Sequence, residues 1–429
     1  MLKQNDLLIK KGIGKVKKCF RLLGFCLTFL LLFSATATMA FAAGETQSGV
    51  YVIVDGNKYD AGASGSGWKL TMAGSTSTIS LNGYNGDAIY ASGDLNIELS
   101  GKNTITSSKK GLVYGIFSST KLVIGGSGSL DINVSGTDDS SSAAGIDVVD
   151  DITISAPVSI KAVGAMSSYG IAIAGNGVND KIVGDVFIKK GAALNIEASL
   201  EPIKATSPSE TTSGEAEPAG VAGARTAGIS VTNDPGGSLS VEKDASVTIN
   251  VNAGNVSGST ATGIYGNDSD MDISGNLIIK VEDADKNGTG IANMSGSVIL
   301  QKDSVADISA EGTEGYGIIA TDALGIGGKL NCKSENIAVA SAKRISLTDG
   351  ARISSPKDGK ATELTLTREF NGEKAEAKIE TITAGEKAAA EIEITQGAGF
   401  PWLVVIIVII AAAAVAILLI RRHNIKRGY

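Results

Sequence analysis

Short runs in which every second residue is apolar fill the middle of this 429-residue chain. Residues 95–99 (LNIEL) and 130–134 (LDINV) are two such runs. Strict alternation predicts β-strands with one buried face. Gly, Asn, Asp and Ser lie between the runs, and these residues tolerate the backbone of tight turns. Long helical patterns are absent between the two ends of the chain, so the pattern predicts an all-β fold.

A small residue followed by isoleucine recurs along the chain at Ile89, Ile116, Ile146, Ile171, Ile229, Ile264, Ile291 and Ile318. The steps between these positions are 27, 30, 25, 58, 35, 27 and 27 residues, and a further step of 27 leads to Ile345. The 58-residue step is either two steps or one step with an insertion. Most steps also contain two further alternating runs.

Three short strands in each step predict one coil of a parallel β-helix. Equivalent Ile, Leu and Val side chains would stack from coil to coil, and about nine coils are expected. The competing fold is an immunoglobulin-like sandwich. A sandwich would not keep a three-strand superperiod over most of the chain, so the β-helix is favoured.

The repeat defines the domain organisation. Residues 87–355 are predicted to form the β-helix, and residues 43–86 its N-terminal cap. Residues 199–226 are rich in Pro, Glu, Ser, Thr and Ala and lack periodicity. They predict a flexible insertion in which Arg225 is isolated. Residues 356–399 carry further alternating runs, and we expect a membrane-proximal β cap or stalk that covers the last strand edges.

Both ends of the chain predict a membrane topology. Residues 1–42 read as a secretory signal peptide: a basic start, an apolar run at 22–33 and a small-x-small site at 40–42. An uncleaved N-terminal anchor is the alternative. Residues 401–420 carry no charge and would span about 30 Å as a helix. The basic tail at 421–429 is then cytoplasmic. We expect a single-pass cell-membrane protein with an extracellular ectodomain.

The net charge of this ectodomain limits the classes of partner that it can bind. It keeps 27 of the 38 Lys and Arg residues and 44 of the 45 Asp and Glu residues, a net charge of about −17. Nucleic acid is therefore excluded as a partner, since phosphate binding needs concentrated positive charge. Cys332 is the only cysteine outside the signal peptide, so the mature chain has no intrachain disulfide.

The N-terminal part of the repeat carries a family resemblance. Residues 67–72 (GWKLTM), 79–86 (ISLNGYNG), 88–89 (AI) and 95–105 (LNIELSGKNTI) follow one another. This order resembles right-handed β-helix surface proteins of Firmicutes that are labelled carbohydrate-binding-domain-containing proteins. The resemblance covers roughly residues 67–135, with looser repeats to about 350. It implies a right-handed β-helix and sugar binding, without naming binding residues.

Catalytic chemistry is poorly supported by the sequence. The only histidine, His423, lies in the predicted cytoplasmic tail. Its position excludes Ser-His-Asp and Cys-His mechanisms and most zinc sites from the ectodomain. We therefore expect that the protein is not an enzyme and requires no cofactor.

Carboxylates near predicted corners are the one metal-binding pattern, at Asp138, Asp139, Asp150, Asp151, Asp268 and Asp270. Aspartate is favoured at tight corners for turn geometry alone, and we prefer that interpretation. Calcium is the cation that such a set would bind, so it is the one cofactor that the sequence leaves open.

Five tyrosines are candidate carbohydrate-binding residues. Tyr114, Tyr169 and Tyr316 each precede a Gly-Ile pair, whereas Tyr90 and Tyr265 each follow an isoleucine. Rings at equivalent positions of different coils could form a platform for sugars. The alternative, in which the rings pack against a corner with the hydroxyl in water, is favoured because an amphipathic ring suits a half-buried position. Ala144, Ala227, Thr262 and Thr289 interrupt the row.

Three functional hypotheses follow from these patterns. The first is a cell-surface binding protein or adhesin for glycans or host-surface components. The second is a polysaccharide lyase or hydrolase on the same fold, and the third is a passive structural stalk. The missing histidine and the few basic residues disfavour the second. The fold alone does not separate the first from the third, and no oligomeric state follows from the sequence.

Overall fold

The computed structural model describes residues 50–173, 184–201, 223–232, 237–370 and 373–396. The predicted signal peptide (1–42), transmembrane helix (401–420) and cytoplasmic tail (421–429) lie outside these ranges. Every regular element in the described ranges is a β-strand, which confirms the all-β prediction. Within the same ranges, no helix is long and apolar enough to cross a membrane.

The strands are numbered in chain order. The first six are β1 (Val52–Val54), β2 (Asn57–Tyr59), β3 (Ser64–Gly65), β4 (Trp68–Ala73), β5 (Thr76–Asn82) and β6 (Asn85–Gly86). Eight complete coils follow in the described residues, with the strands β7 (Ile89–Ala91), β8 (Asp94–Ser100), β9 (Lys102–Lys109), β10 (Leu112–Ser118), β11 (Leu122–Gly126), β12 (Ser129–Gly136), β13 (Ser142–Val148), β14 (Ile152–Ile154), β15 (Val158–Gly164), β16 (Ser167–Ile173), β17 (Val186–Ile188), β18 (Ala193–Leu200), β19 (Arg225–Val231), β20 (Ser238–Val241), β21 (Ser246–Asn252), β22 (Thr260–Gly266), β23 (Asp270–Ile273), β24 (Asn276–Glu282), β25 (Asn287–Asn293), β26 (Val298–Leu300), β27 (Val305–Ala310), β28 (Tyr316–Ala320), β29 (Ala323–Ile326) and β30 (Lys329–Ser334). The last seven are β31 (Ile337–Ser341), β32 (Arg344–Leu347), β33 (Ala351–Ser355), β34 (Lys360–Phe370), β35 (Glu373–Ala384), β36 (Lys387–Ala388) and β37 (Glu391–Gln396).

Each coil gives one strand to each of three sheets. Sheet A runs β2-β1-β7-β10-β13-β16-β19-β22-β25-β28-β31-β35-β34, with β36 beside β35. Sheet B runs β3-β4-β5-β8-β11-β14-β17-β20-β23-β26-β29-β32, and sheet C runs β33-β37-β30-β27-β24-β21-β18-β15-β12-β9-β6. Strands of successive coils pair in parallel. Three parallel sheets that share their coils are the arrangement of a parallel β-helix, whereas the sheets of an immunoglobulin-like sandwich are antiparallel.

The isoleucines of the Gly-Ile repeat pair with one another in sheet A, from Ile89 to Ile318. Ile171 pairs directly with Ile229, so the 58-residue step is one coil with an insertion. The row continues to Val339, and the sequence-based expectation of Ile345 is wrong. Ile345 lies in sheet B, because only residues 335 and 336 separate β30 from β31 and the last step is short.

The interior of the rod is a stack of apolar side chains. One row of sheet C consists of Ile105, Ile132, Ile160, Ile196, Ile249, Ile279, Ile308 and Cys332, all at most 1% exposed. Burial of each aliphatic side chain contributes roughly 1.5–3 kcal/mol. These rows are the physical basis of the alternation in the sequence, since inward positions recur at every second residue.

Antiparallel strands begin the rod. β1 pairs antiparallel with β2 and β7, and β4 pairs antiparallel with β3 and β5. Trp68, only 6% exposed, packs its ring 4.8 Å from that of Tyr59. β5 and β6 already pair in parallel with β8 and β9. Parallel pairing therefore starts inside the predicted cap of residues 43–86, because alternation does not encode the direction of pairing.

Antiparallel strands also follow the last coils, within residues 356–370 and 373–396. β35 pairs antiparallel with β31, and β37 pairs antiparallel with β30. The long strands β34 and β35 form a hairpin. The strand edges that β30 and β31 would otherwise expose are thereby covered.

The predicted insertion, residues 199–226, wrongly includes strand residues at both of its ends. Ser199 pairs with Asn252 in sheet C, and Arg225 pairs with Thr260 in sheet A. These ends were missed because their strands carry polar residues, including Thr226 at an inward position. Most of the predicted insertion, residues 202–222, lies outside the described residues.

Candidate functional site

The outer face of sheet A differs from the outer faces of the other two sheets. Two rows of side chains lie on this face, and we call them the outer strip. The first row is Tyr114, Ala144, Tyr169, Ala227, Thr262, Thr289, Tyr316 and Ile337. The second row is Tyr90, Phe117, Asp147, Ala172, Ser230, Tyr265, Ala292, Ile319 and Ala340.

These two rows are nearly free of charge. Asp147 is the only charged residue among them in the described coils. The outer face of sheet C, in contrast, presents Asp131, Lys161, Glu197, Lys280, Asp307 and Lys333. Much of the strip is buried, since Ala227 is 1% and Thr262 5% exposed, whereas its N-terminal members remain half-buried. All five candidate tyrosines lie in the outer strip.

Glycines shape this sheet from the inside. Each glycine of the repeat faces the interior together with the isoleucine that follows it, and both are buried. A β-carbon on Gly115 would overlap the Cγ2 methyl of Ile132 and lie 2.8 Å from the carbonyl oxygen of Gly145. The Gly-Ile pair therefore lets an isoleucine of sheet C pack against the backbone of sheet A, and the residues before and after the pair point outward.

Four rings form an aromatic cluster at the N-terminal end of the outer strip: Tyr51, Tyr90, Phe117 and Tyr114. The rings of Tyr90 and Phe117 lie 4.8 Å apart and are almost parallel, at 6°. Tyr51 stacks on Tyr90 at 5.9 Å, and Tyr114 lies 5.4 Å from Phe117. All four side chains are half-buried. Tyr90 is stacked between Tyr51 and Phe117, and the exposed parts of the four half-buried rings are the surface that the cluster presents to a ligand.

The electrostatics of the aromatic cluster are set by burial. Burial raises the pKa of Tyr90 to about 12, and a hydrogen bond with Tyr51 adds to the shift. Burial also raises the pKa of Tyr114, with the negative charge of Asp147 adding to it. The Lys58 ammonium lies 4.2 Å from the centre of the Tyr51 ring. Both Tyr90 and Tyr114 therefore stay neutral at physiological pH.

Asp147 extends the cluster along the second row. It pairs in register with Phe117 on one side and Ala172 on the other. Burial raises its pKa to about 7. Its charge also raises the pKa of Tyr169, a minor contribution beside that of burial. A half-buried carboxylate thus lies between two uncharged side chains of the outer strip.

Arg225 is the second charged residue near the outer strip. The sequence places it in a loop by itself, and that expectation is wrong: it begins strand β19. Burial lowers the pKa of its guanidinium, while Tyr169 and Tyr265 oppose this shift. The strand position explains the neighbours, since Arg225 pairs with Ser167, two residues before Tyr169.

The five candidate tyrosines do not form one continuous patch. Tyr90 and Tyr114 belong to the aromatic cluster, and Tyr169 lies near Asp147. Tyr265 is 1% exposed and offers no surface to a ligand in this conformation. Tyr316 packs in a separate apolar cluster with Ile337, Ala340, Ile379, Ile319, Leu366 and Ala388. Only the N-terminal part of the outer strip therefore combines several accessible rings.

Sequence reasoning missed three members of this region. Phe117 and Asp147 follow Ile116 and Ile146 at the same offset at which Tyr90 follows Ile89, so the repeat could have aligned all three. Tyr51 carries no such signal. It reaches Tyr90 because β1 pairs antiparallel with β7, a relationship that lies outside the repeat.

The acidic candidates lie at separate corners of the rod. Asp138 lies between β12 and β13, where its Oδ1 accepts a hydrogen bond from the backbone nitrogen of Gly111 at 3.2 Å. Its neighbour Asp139 lies at the same corner. Asp150 and Asp151 lie between β13 and β14, three coils from Asp268 and Asp270.

Asp151 and Asp270 also link successive coils, as Asp138 does. Asp151 Oδ1 accepts from the backbone nitrogen of Asp185 at 3.0 Å, and its Oδ2 pairs with Lys121 at 2.7 Å. Asp270 Oδ1 accepts from the backbone nitrogen of Ser297 at 2.9 Å. Asp268 has a φ of 53°, a left-handed turn conformation. In the described residues, no group of three or more His, Cys, Asp or Glu side chains could hold a metal ion.

Cys332 offers no reactive thiol. It is buried in the isoleucine row of sheet C and donates a hydrogen bond to the carbonyl oxygen of Ala338 at 3.2 Å. Burial raises the pKa of its thiol, which disfavours the nucleophilic thiolate. The side chain therefore packs as a small apolar residue.

Comparison of the chain with protein-family models, with curated proteins and with solved structures finds no match.

Proposed function

We propose that this protein binds carbohydrate at a bacterial cell surface, through the aromatic cluster of sheet A. The observation that carries the proposal is the line of half-buried rings formed by Tyr51, Tyr90, Phe117 and Tyr114 on a face almost without charge. The C–H faces of sugar rings pack on aromatic side chains, whose polar groups then hydrogen-bond to hydroxyls.

The spacing of the rings supports a linear ligand. Tyr90 and Phe117 lie on neighbouring strands of sheet A, and neighbouring strands are about 4.8 Å apart. A chain of sugar rings that runs along the rod axis would therefore contact one coil after another. Ligands of this kind suit a rod with equivalent positions on each coil.

The membrane topology of the proposal rests on the sequence. In this arrangement residues 1–42 direct export, residues 401–420 anchor the chain, and the basic tail at 421–429 stays in the cytoplasm. The rod is then a right-handed β-helix, as the resemblance to Firmicutes surface proteins implies. A net charge of about −17 keeps such an ectodomain solvated at the cell surface.

A glycan array with the full chain in nanodiscs tests the proposal. The Tyr90→Ala and Phe117→Ala variants remove adjacent rings of the aromatic cluster. Phe187→Ala is the matched control, because Phe187 is a half-buried aromatic residue on the outer face of sheet B. We expect glycan binding by the wild type and by Phe187→Ala, and loss of binding in the two cluster variants. Absence of binding to every glycan, or equal binding by all variants, contradicts the proposal.

A passive structural stalk is the second candidate function. The nearly parallel rings of Tyr90 and Phe117 stabilise adjacent coils by stacking on one another, which would suffice for a structural role. The glycan array distinguishes the two candidate functions, because a passive stalk would bind no glycan. We favour binding because all four rings of the aromatic cluster are only half-buried and so keep surface that a ligand can contact.

The lyase or hydrolase hypothesis receives less support from the geometry. Asp151 and Asp270 accept hydrogen bonds from the backbone of the next coil and so have a structural role of their own. We therefore propose a binding protein rather than an enzyme.

A further inference from the structure

Asp147 is an unusual residue for its position. Ala172, Ser230 and Ala292 occupy the same row of the outer strip, so small neutral residues fit there. The carboxylate of Asp147 has no hydrogen-bond partner among the residues that the structure describes, and burial is the one cause of its shifted pKa. Burial disfavours the charged form of a carboxylate, so ionisation of Asp147 costs free energy.

Among the residues that the structure describes, those that face Asp147 leave its charge uncompensated. Tyr114 on β10 and Tyr169 on β16 are the titratable groups whose pKa values respond to it. Phe117 and Ala172, its direct partners across the sheet, are apolar. Arg225 lies on β19, two strands from β13, and its charge does not contribute to the pKa of Asp147. None of these described neighbours stabilises the ionised carboxylate, a pattern typical of residues kept for function at a cost in stability.

We infer that Asp147 determines the specificity of the proposed carbohydrate site by accepting hydrogen bonds from the hydroxyl groups of an uncharged glycan. This inference rests on the proposed function. An ionised carboxylate has two acceptor oxygens and no donor, so it suits a pair of neighbouring hydroxyls. The same charge repels the carboxylates of uronic-acid polymers. The site therefore selects neutral over acidic glycans.

The test uses the full chain in nanodiscs and two oligosaccharides of equal length, one neutral and one containing uronic acids, at pH 8. Asp147→Ala removes the acceptor, and Asp147→Asn removes the charge but keeps the shape. Asp131→Asn, on the outer face of sheet C, is the matched control. Far-UV circular dichroism checks that each variant is folded.

We expect the wild type to bind the neutral oligosaccharide and to reject the acidic one. Asp147→Ala should weaken neutral binding at least tenfold, since hydrogen bonds to charged groups are among the strong ones. Asp147→Asn should bind the acidic oligosaccharide measurably, and Asp131→Asn should behave as the wild type.

The outcomes separate this inference from the proposed function. If Tyr90→Ala abolishes binding while Asp147→Ala binds normally, the inference is overturned and the proposed function stands. Equal affinity of the wild type for both oligosaccharides also overturns it. If the wild type binds neither these oligosaccharides nor any glycan on the array, the proposed function fails and the inference fails with it.

Discussion

Gly263 and Ile279 share one space between sheets A and C: a β-carbon on Gly263 would overlap the Cγ2 methyl of Ile279 and lie 2.5 Å from the carbonyl oxygen of Gly290. The same relationship recurs between the other glycines of the repeat and the isoleucine row of sheet C. Since the obstacle includes backbone, side-chain rotation alone does not relieve it.

Gly263→Ala should therefore destabilise the rod. We expect a loss of about 1–3 kcal/mol in the free energy of unfolding, the usual effect of an overpacked core. Gly325→Ala is the control, because the nearest atom to its added methyl group is 3.6 Å away on Ile299. Urea unfolding followed by circular dichroism measures both, and equal midpoints for the two variants would show that the core accommodates the methyl group.

The Gly-Ile relationship also shows why the fold could be predicted from the sequence. Inward positions repeat at every second residue and pair in register from coil to coil. The spacing of Ile89 and Ile116 therefore predicts that Ile146 belongs to the same row. The pattern fails where the coil length changes, as at Val339 and Ile345. The alternating pattern contains no information on pairing direction. It therefore does not predict the antiparallel pairing that brings Tyr51 to Tyr90.

The candidate site was predictable only in part. Tyr90 and Tyr114 could be placed on the repeat. They lie close together because their two rows are adjacent on the outer face of sheet A, whereas the sequence interpretation placed the tyrosines at a corner. Asp147 follows its isoleucine at the same offset as Tyr90. It escaped notice because a single aspartate near turn-rich sequence resembles a corner residue. Its half-buried environment becomes visible only when the neighbouring coils are in place.

Asn103 is a buried polar residue on which the first coils depend. Its Oδ1 accepts a hydrogen bond from the backbone nitrogen of Tyr84 at 3.0 Å, and its Nδ2 donates to the carbonyl oxygens of Ser100 and Ser129 at 3.1 and 3.2 Å. Asn103→Ala leaves these buried groups unsatisfied, so we expect a loss of about 2–4 kcal/mol in stability. Unfolding midpoints in urea provide the measurement.

Asn195→Ala serves as the control for Asn103, because Asn195 is exposed on the outer face of sheet C. Its replacement should change stability by less than about 0.5 kcal/mol. A similar loss in both variants would contradict the role assigned to Asn103.

Cys332 should resist thiol reagents in the folded protein. The thiol is fully buried and its pKa is raised by burial, so both access and ionisation oppose reaction. In a Cys19→Ser, Cys26→Ser background, labelling at pH 8 should be negligible without urea and complete above the unfolding transition. The control is a Ser346→Cys variant in the same background, on the outer face of sheet B, which should label at once. Rapid labelling of Cys332 in native buffer would contradict the packing of the sheet C row.

Asp147→Asn should stabilise the protein in a pH-dependent manner. The pKa of Asp147 is raised from 3.8 to about 7, so the folded state binds its proton more tightly than the unfolded state does. The ionised carboxylate therefore costs no stability below pH 3.8, and its cost grows until the pH exceeds about 7. At 1.36 kcal/mol per unit, this cost is at most about 4 kcal/mol, and partial exposure reduces it.

We expect Asp147→Asn to unfold at higher urea concentration than the wild type at pH 8, and at nearly the same concentration at pH 4. Asp131→Asn should show no such difference, since its ion pair with Lys102 lies at the surface. If Asp147→Asn changed stability equally at both pH values, folding would not raise the pKa of Asp147, and the burial that distinguishes this carboxylate would be contradicted.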